Sequence, residues 1–124
     1  MKVLIIDDET DICYLLSTLL RKINLNAVFV HTITEARLQL QKESPDVIFL
    51  DNHLPDGMGV DFISSIKNIL PQAKIAMITA HDTAMDREKA LKEGADFFIG
   101  KPFSRGTIYG ILESLNIPVK SQIL

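Results

Sequence analysis

Asp7, Asp8, Asp51, Thr79 and Lys101 share one circumstance: each stands just past a short run of apolar and β-branched residues. The runs are KVLII (2–6), DVIFL (46–50), KIAMI (74–78) and DFFI (96–99), with Glu9 after the aspartate pair and Gly100 before the lysine. With the runs side by side, carboxylates, a hydroxyl and an ammonium meet on one edge. Gathered carboxylates repel, and each holds its proton harder unless a cation is present. A divalent ion relieves that cost. All-oxygen donors favour Mg²⁺ or Mn²⁺, and Mg²⁺ keeps several waters rather than a closed protein cage. The loop after Asp51 offers one more oxygen, the backbone carbonyl of His53. The Thr79 hydroxyl and Lys101 ammonium, beside a metal-bound carboxylate, suit an anion with several oxygens such as a phosphoryl group. An aspartate can act as nucleophile and form an aspartyl-phosphate. Positioning and charge neutralisation are the catalytic demands, and this set supplies both.

Periodicity identifies the elements that must hold these groups. KVLII is a first strand, and from Ile12 the spacing turns helical, with Ile12, Leu15, Leu16, Leu19, Leu20 and Ile23 on one stripe. NAVFV (26–30) reads as a second strand. A helix follows over about 33–43, with Ile33, Ala36 and Leu40 on one face and Ser44-Pro45 as its stop. DVIFL is the third strand, and a helix over about 59–70 carries Phe62, Ile63, Ile66, Ile69 and Leu70. KIAMI is the fourth strand, and the helix over about 82–93 ends at Gly94, a residue suited to a left-handed cap. DFFI is the fifth strand, and Ile108, Ile111, Leu112 and Leu115 mark the last helix. Strands alternate with helices, and the first, third and fourth runs are almost continuously apolar, as parallel strands covered on both faces are. The expected fold class is α/β, an open sheet with right-handed crossovers. Its working site lies beyond the carboxyl ends of the strands.

The 124 residues fit one domain, and 47% apolar residues are enough for a core. Lys and Arg number 13 against 16 Asp and Glu, a net charge of −3, so no basic surface for nucleic acid is expected. The single cysteine, Cys13, sits in an apolar helical pattern and reads as a packed small side chain. It excludes a disulfide scaffold and fits a reducing cytoplasm. No apolar run approaches the ~20 residues of a membrane span, and the N-terminus lacks a signal-peptide layout. The working domain is expected over 1–117, and 118–124 as a tail or linker stub; NIPVKSQIL (116–124) reads as a frayed end.

Four segments, VLIIDDE, PDVIFLDNHLPDGMG, IAMITAHD and GADFFIGKPF, stand in this order at this spacing, and with them the chain resembles the receiver domains of two-component response regulators over residues 2 to about 116. The resemblance implies a flavodoxin-like sheet in strand order 2-1-3-4-5. It implies that Asp51 is the phosphoacceptor, that Asp7 and Asp8 hold Mg²⁺, and that Thr79 and Lys101 contact the phosphoryl group. It also implies a cis peptide at Lys101-Pro102 and a switch aromatic at Phe98. The implied donor is a histidine kinase or phosphotransfer protein, and the implied receiver of the signal an output partner or effector domain. On this view the chain is a signalling phosphoacceptor and not an enzyme with an external substrate. Two alternatives differ in class. A metal-dependent phosphatase working through an aspartyl-phosphate usually has a second Asp two residues after the nucleophile, where this chain has His53. An FMN binder needs a phosphate-cradling loop after the first strand, where DDETD repels phosphate.

Some positions depart from the commonest pattern of that family. Asn52 follows the acceptor in place of an aliphatic residue, Gly57-Met58 replaces Met-Asp, and Phe98 stands where Tyr is frequent. His53 and His81, two beyond Asp51 and Thr79, are expected at the mouth of the site, where their bulk would tune the phosphoryl lifetime. A zinc site there is disfavoured by the missing ligand spacing. His31 is expected on the surface, away from the acidic edge. The fourth helix has only Met85 and Leu91 as large apolar residues, so a thin grip on the sheet is expected. The helix 4–strand 5–helix 5 face is therefore the expected output surface, and the face for any homodimer.

Overall fold

The sequence pattern of alternating strands and helices is realised as a single parallel sheet with helices on both faces. The computed structural model describes residues 1–117 and Val119. The sheet strands are β1 (Val3–Ile6), β2 (Ala27–Val30), β3 (Val47–Asp51), β6 (Lys74–Thr79) and β7 (Phe97–Gly100), in the order β2-β1-β3-β6-β7. All four pairings are parallel. A two-stranded hairpin, β4 (His53–Leu54) with β5 (Gly57–Met58), follows β3. The helices are α1 (Thr10–Arg21), α2 (Ile33–Lys42), α3 (Gly59–Ile69), α4 (Ala84–Glu93) and α5 (Arg105–Ser114). The expected order 2-1-3-4-5 is met, with β6 and β7 as the fourth and fifth sheet strands.

Strand alternation divides the core in two. Val3, Ile5, Val47, Phe49, Ala76 and Ile78 face α1 and α5. Their neighbours Leu4, Ile6, Ile48, Leu50, Ile75 and Met77 face α2, α3 and α4. Every residue of β1 and β3 is buried, which explains their unbroken apolar sequences. Each fully buried Leu, Ile or Phe contributes about 1.5–3 kcal/mol. Local chemistry sets the helix ends. Thr32, Thr83 and Ser104 cap α2, α4 and α5 by accepting the N–H of Glu35, Asp86 and Thr107. Gly94 closes α4 in the left-handed region at φ 120°.

Several expectations are corrected in detail. The hairpin was not legible, because two-residue strands carry no alternation. The thin grip expected of α4 is met, though not by its large apolar residues: Met85 and Leu91 point outward, 81% and 47% exposed, and Ala90 alone is buried. Ile117 and Val119 are buried against the α1–α5 core, so the chain just past α5 packs rather than frays. The rest of the expected 118–124 tail lies outside the described residues.

Gly59 opens α3 directly behind the end of β3. Its N–H donates to the Asn52 carbonyl at 2.6 Å, and a Cβ there would overlap the Asp51 carbonyl oxygen. A backbone atom cannot swing aside, so Gly59→Ala should destabilise the fold by about 3 kcal/mol. Gly110, inside α5, has nothing within 4 Å of a built Cβ. Gly110→Ala should instead stabilise by about 0.5–1 kcal/mol through helix propensity. Urea unfolding of both variants checks the pair, and a neutral Gly59→Ala contradicts the close approach.

Candidate functional site

Register brings the polar residues level. Ile6 pairs with Leu50, so Asp7 and Asp51 stand side by side at the next position. Asp51 pairs with Ile78, and Thr79 with Gly100, so Thr79 and Lys101 each lie one residue further along. The Lys101 N–H donates to the Thr79 carbonyl at 2.7 Å, tying the two strand ends together. Lys101-Pro102 is cis.

The Lys101 ammonium is the hub. Its Nζ lies 3.0 Å from Asp7 Oδ2, 2.7 Å from Glu9 Oε1 and 3.4 Å from Asp51 Oδ1. Asp7 and Asp51 are 2% and 5% exposed, and Thr79 is fully buried. Burial pushes the Asp51 carboxyl up to about 7, helped by the charge of Asp7; Lys101 and the Asn52 N–H pull the other way. Burial also raises Asp7, against the pull of the Glu9 N–H and Lys101. For Lys101 burial favours the neutral amine, but hydrogen bonding to Glu9 and Asp7 and the charge of Asp51 outweigh it and hold the ammonium above the ordinary lysine range.

Asp7, Asp8, Glu9 and Asp51 offer carboxylate oxygens that all lie within 4.8 Å of one another. Asp7 Oδ1 accepts the Glu9 N–H at 2.9 Å. Asp7 Oδ2, although ion-paired to Lys101, lacks a hydrogen bond of good geometry among the described residues. An orphaned buried carboxylate oxygen inside an acidic cluster fits a hard divalent cation. The Thr79 hydroxyl accepts the His81 N–H at 3.0 Å, leaving its own proton to donate elsewhere.

Asp7, Asp8, Asp51 and Lys101 are thus brought together. His53 and His81 are exposed, and their rings meet edge to face with centroids 4.3 Å apart. Phe98 is half-buried beneath the Arg87 guanidinium, 4.9 Å from its ring. Three residues have a larger part than their sequence context suggested. Glu9 makes the shortest of the three Lys101 contacts. Asn52 is buried, and its Oδ1 accepts the Val60 N–H at 3.0 Å, fixing the start of α3 behind Asp51. His31 is not remote, because its Nδ1 lies 2.9 Å from the Asp7 carbonyl oxygen. Strand pairing explains the error: the end of β2 adjoins the end of β1, and the Asp7 N–H donates to the Val30 carbonyl. Cys13 is buried as expected, its thiol pushed up to about 11, chiefly by burial.

An open parallel sheet of this order, with acids and a lysine at the carboxyl ends of its strands, defines a flavodoxin-like domain built around an acidic site. The chain belongs to the response regulator receiver domain family, whose model matches residues 3–113. It is 39% identical over 107 residues to the response regulator protein PilR of Pseudomonas aeruginosa, covering 86% of this chain and 24% of PilR. The chain spans only 24% to 50% of the length of the curated relatives it matches. The NtrC4 receiver domain, solved as a beryllofluoride-activated dimer, superposes with a TM-score of 0.85 at 32% identity over 98% of both chains. A response regulator from Burkholderia pseudomallei, solved with a phosphorylated aspartic acid, calcium ion and citrate, gives a TM-score of 0.81 at 25% identity over 95% of this chain and 75% of its own. No described helix is long and apolar enough to cross a membrane.

The raised Asp51 carboxyl has a consequence for stability. The folded state holds this proton harder than the unfolded chain, so metal-free stability falls as pH rises from the ordinary 3.8 towards about 7, and levels off above. Asp51→Asn removes that titration. Its stability advantage over wild type should therefore grow between about pH 5 and pH 8 in chelator. Thermal melts across that range check it; parallel curves for the two proteins would contradict the burial argument.

Proposed function

We propose that this domain takes a phosphoryl group onto Asp51 from the phosphohistidine of a histidine kinase or phosphotransfer protein, and passes a conformational change to an output partner. Family membership supports the class. The observation that carries the assignment to Asp51 is the Lys101 ammonium within 3.4 Å of Asp51 and 3.0 Å of Asp7 at the strand ends. An Asp51 carboxylate oxygen attacks phosphorus, the P–N bond breaks, and the donor imidazole keeps the electron pair. Asp7, Asp8, Asp51 and the His53 carbonyl would hold Mg²⁺, which supplies charge neutralisation when bound. Lys101 exchanges a carboxylate partner for a phosphoryl oxygen, and Thr79 donates its hydroxyl proton to another. Thr79 turning toward the phosphoryl group frees space beside Phe98, which repacks and shifts α4. The α4–β7–α5 face then engages an effector domain, a separate partner or a second copy of the chain. Output domains are in keeping with the greater length of the curated relatives. We place the protein in the cytoplasm and assign no nucleic-acid contact to this domain. The phosphatase alternative gains nothing: two residues past Asp51 stands the exposed His53, not a second acid.

Acetyl phosphate with Mg²⁺ should add one phosphoryl group, seen by intact mass, and Asp51→Asn should abolish it with the fold intact. Chelation or Asp8→Ala should also stop labelling. Equal labelling of the Asn variant sinks the assignment. Lys101→Ala should still accept some phosphoryl but lose the beryllofluoride-induced NMR shifts of α4 and Phe98.

Water must attack the aspartyl-phosphate in line, past the contacting rings of His53 and His81. Neither imidazole needs to touch phosphoryl oxygens to hinder that path. His81→Ala, and more weakly His53→Ala, should shorten the phosphoryl lifetime a few-fold at neutral pH. A general base would behave oppositely, so a longer lifetime in His81→Ala overturns hindrance.

A further inference from the structure

We infer that His31 is a positioning residue for the cation-binding acids: its ring N–H holds the peptide that joins Asp7 to Asp8. The inference deepens the reading of those acids as a cation site and rests on it. His31 Nδ1 stands 2.9 Å from the Asp7 carbonyl oxygen. A carbonyl can only accept, so Nδ1 carries the proton. That carbonyl belongs to the Asp7–Asp8 peptide unit, which is planar, so its rotation would swing the two aspartates relative to each other. Among the described residues the only other side-chain donor to it is Cys13 Sγ at 3.3 Å, a thiol and so a weak donor.

The remaining atoms of Asp7 show why this one contact matters. Its N–H is spent on the Val30 carbonyl and its Oδ1 on the Glu9 N–H. Oδ2 meets only the Lys101 ammonium among the described residues, at 3.0 Å, beside the carboxylates of Asp8, Glu9 and Asp51. The N–H, Oδ1 and carbonyl of Asp7 are thus tied to the protein, Oδ2 pairs with that ammonium, and His31 supplies the strong donor on the carbonyl. The ring itself is held. The His31 N–H donates to Glu35 Oε1 at 3.1 Å, and the ring packs against Phe29 with centroids 5.7 Å apart. Residues hydrogen-bonded behind a ligand fix its orientation, and losing them weakens metal binding by about tenfold or more.

Mg²⁺ titration followed by backbone-amide NMR, on the full chain without any phosphodonor, tests this. His31→Phe keeps a ring against Phe29 but has no donor. His31→Gln places its amide one methylene too far. His31→Asn puts its amide nitrogen where Nδ1 stands. The Phe and Gln variants should bind Mg²⁺ about tenfold more weakly than wild type, with Asn within about threefold. Urea unfolding in chelator reports any general loss of fold separately. Unchanged Mg²⁺ affinity in Phe and Gln overturns the inference, whatever happens to stability. So does an Asn variant as weak as Phe, which would make the ring and not the donor responsible. If wild type itself fails to bind Mg²⁺, the cation-site reading falls first and this falls with it.

Discussion

One ammonium sustains the acidic edge. Asp7 and Asp51 sit almost fully buried and level with each other, and burial alone drives both toward their neutral forms. Lys101 offsets part of that cost by touching both, together with Glu9. The offset is incomplete, because a single positive charge faces four carboxylates. The edge is consequently left short of positive charge, and the buried Asp7 Oδ2 meets nothing but the shared Lys101 ammonium among the described residues. Removing one partner of such a cluster costs far more than an exposed pair would, because the remaining charges stay buried. The register of the sheet is what places these charges together.

That dependence explains how the fold is arranged around the strand ends. Lys101 is carried to Asp7 by β7, tied to β6 through the Thr79 carbonyl, and by β6, paired with β3 from Lys74 to Ile78. Behind Asp51, Asn52 spends its backbone carbonyl and its side-chain oxygen on the first turn of α3. The hairpin that follows is anchored from the far side. Asp56 accepts the N–H groups of Ile33 and Thr34 at 2.8 and 2.9 Å, and these contacts hold its carboxyl below the ordinary range. The loop carrying His53 is thus pinned at both ends while its tip stays exposed.

The fold was largely legible because each buried strand is a continuous apolar run and each helix an amphipathic stripe. The coming together of the acids and Lys101 was legible for the same reason, since strand ends mark the edge of a parallel sheet. What periodicity could not see is instructive. His31 follows β2, and only the pairing of β2 with β1 brings it beside Asp7. Glu9 is exposed and lies beyond the aspartate pair, so nothing in its sequence context distinguished it as a partner for Lys101. Met85 and Leu91 looked like the grip of α4 because large apolar residues usually face inward. The helix needs only the small Ala90 against the sheet, and the large side chains are left outside.

The thin grip of α4 bears on where a signal could leave the molecule. With Ala90 as its one buried residue, α4 has a small apolar anchor and exposed polar contacts at its rim. Arg87 pairs with Asp82 at 2.9 Å and Lys89 with Asp61 at 3.7 Å, all side chains more than 40% exposed. Such pairs contribute about 0–1 kcal/mol each, and the stacking of Arg87 on Phe98 adds roughly 0.5–1 kcal/mol. Asp82 also packs over the backbone of Gly100, the residue before Lys101. Arg87 therefore touches both the half-buried aromatic and a carboxylate seated on the strand end that carries the hub lysine. In the proposed switch, a displacement of Lys101 would act on α4 through contacts of about the size that a differential binding energy of a few kcal/mol can overcome. The same displacement acts on α1 or α3 through fully buried Leu, Ile and Phe side chains, where it would be resisted. For the switch we propose, the asymmetry in burial favours α4 as the element that would move, and its two outward-facing apolar residues as the surface that would change.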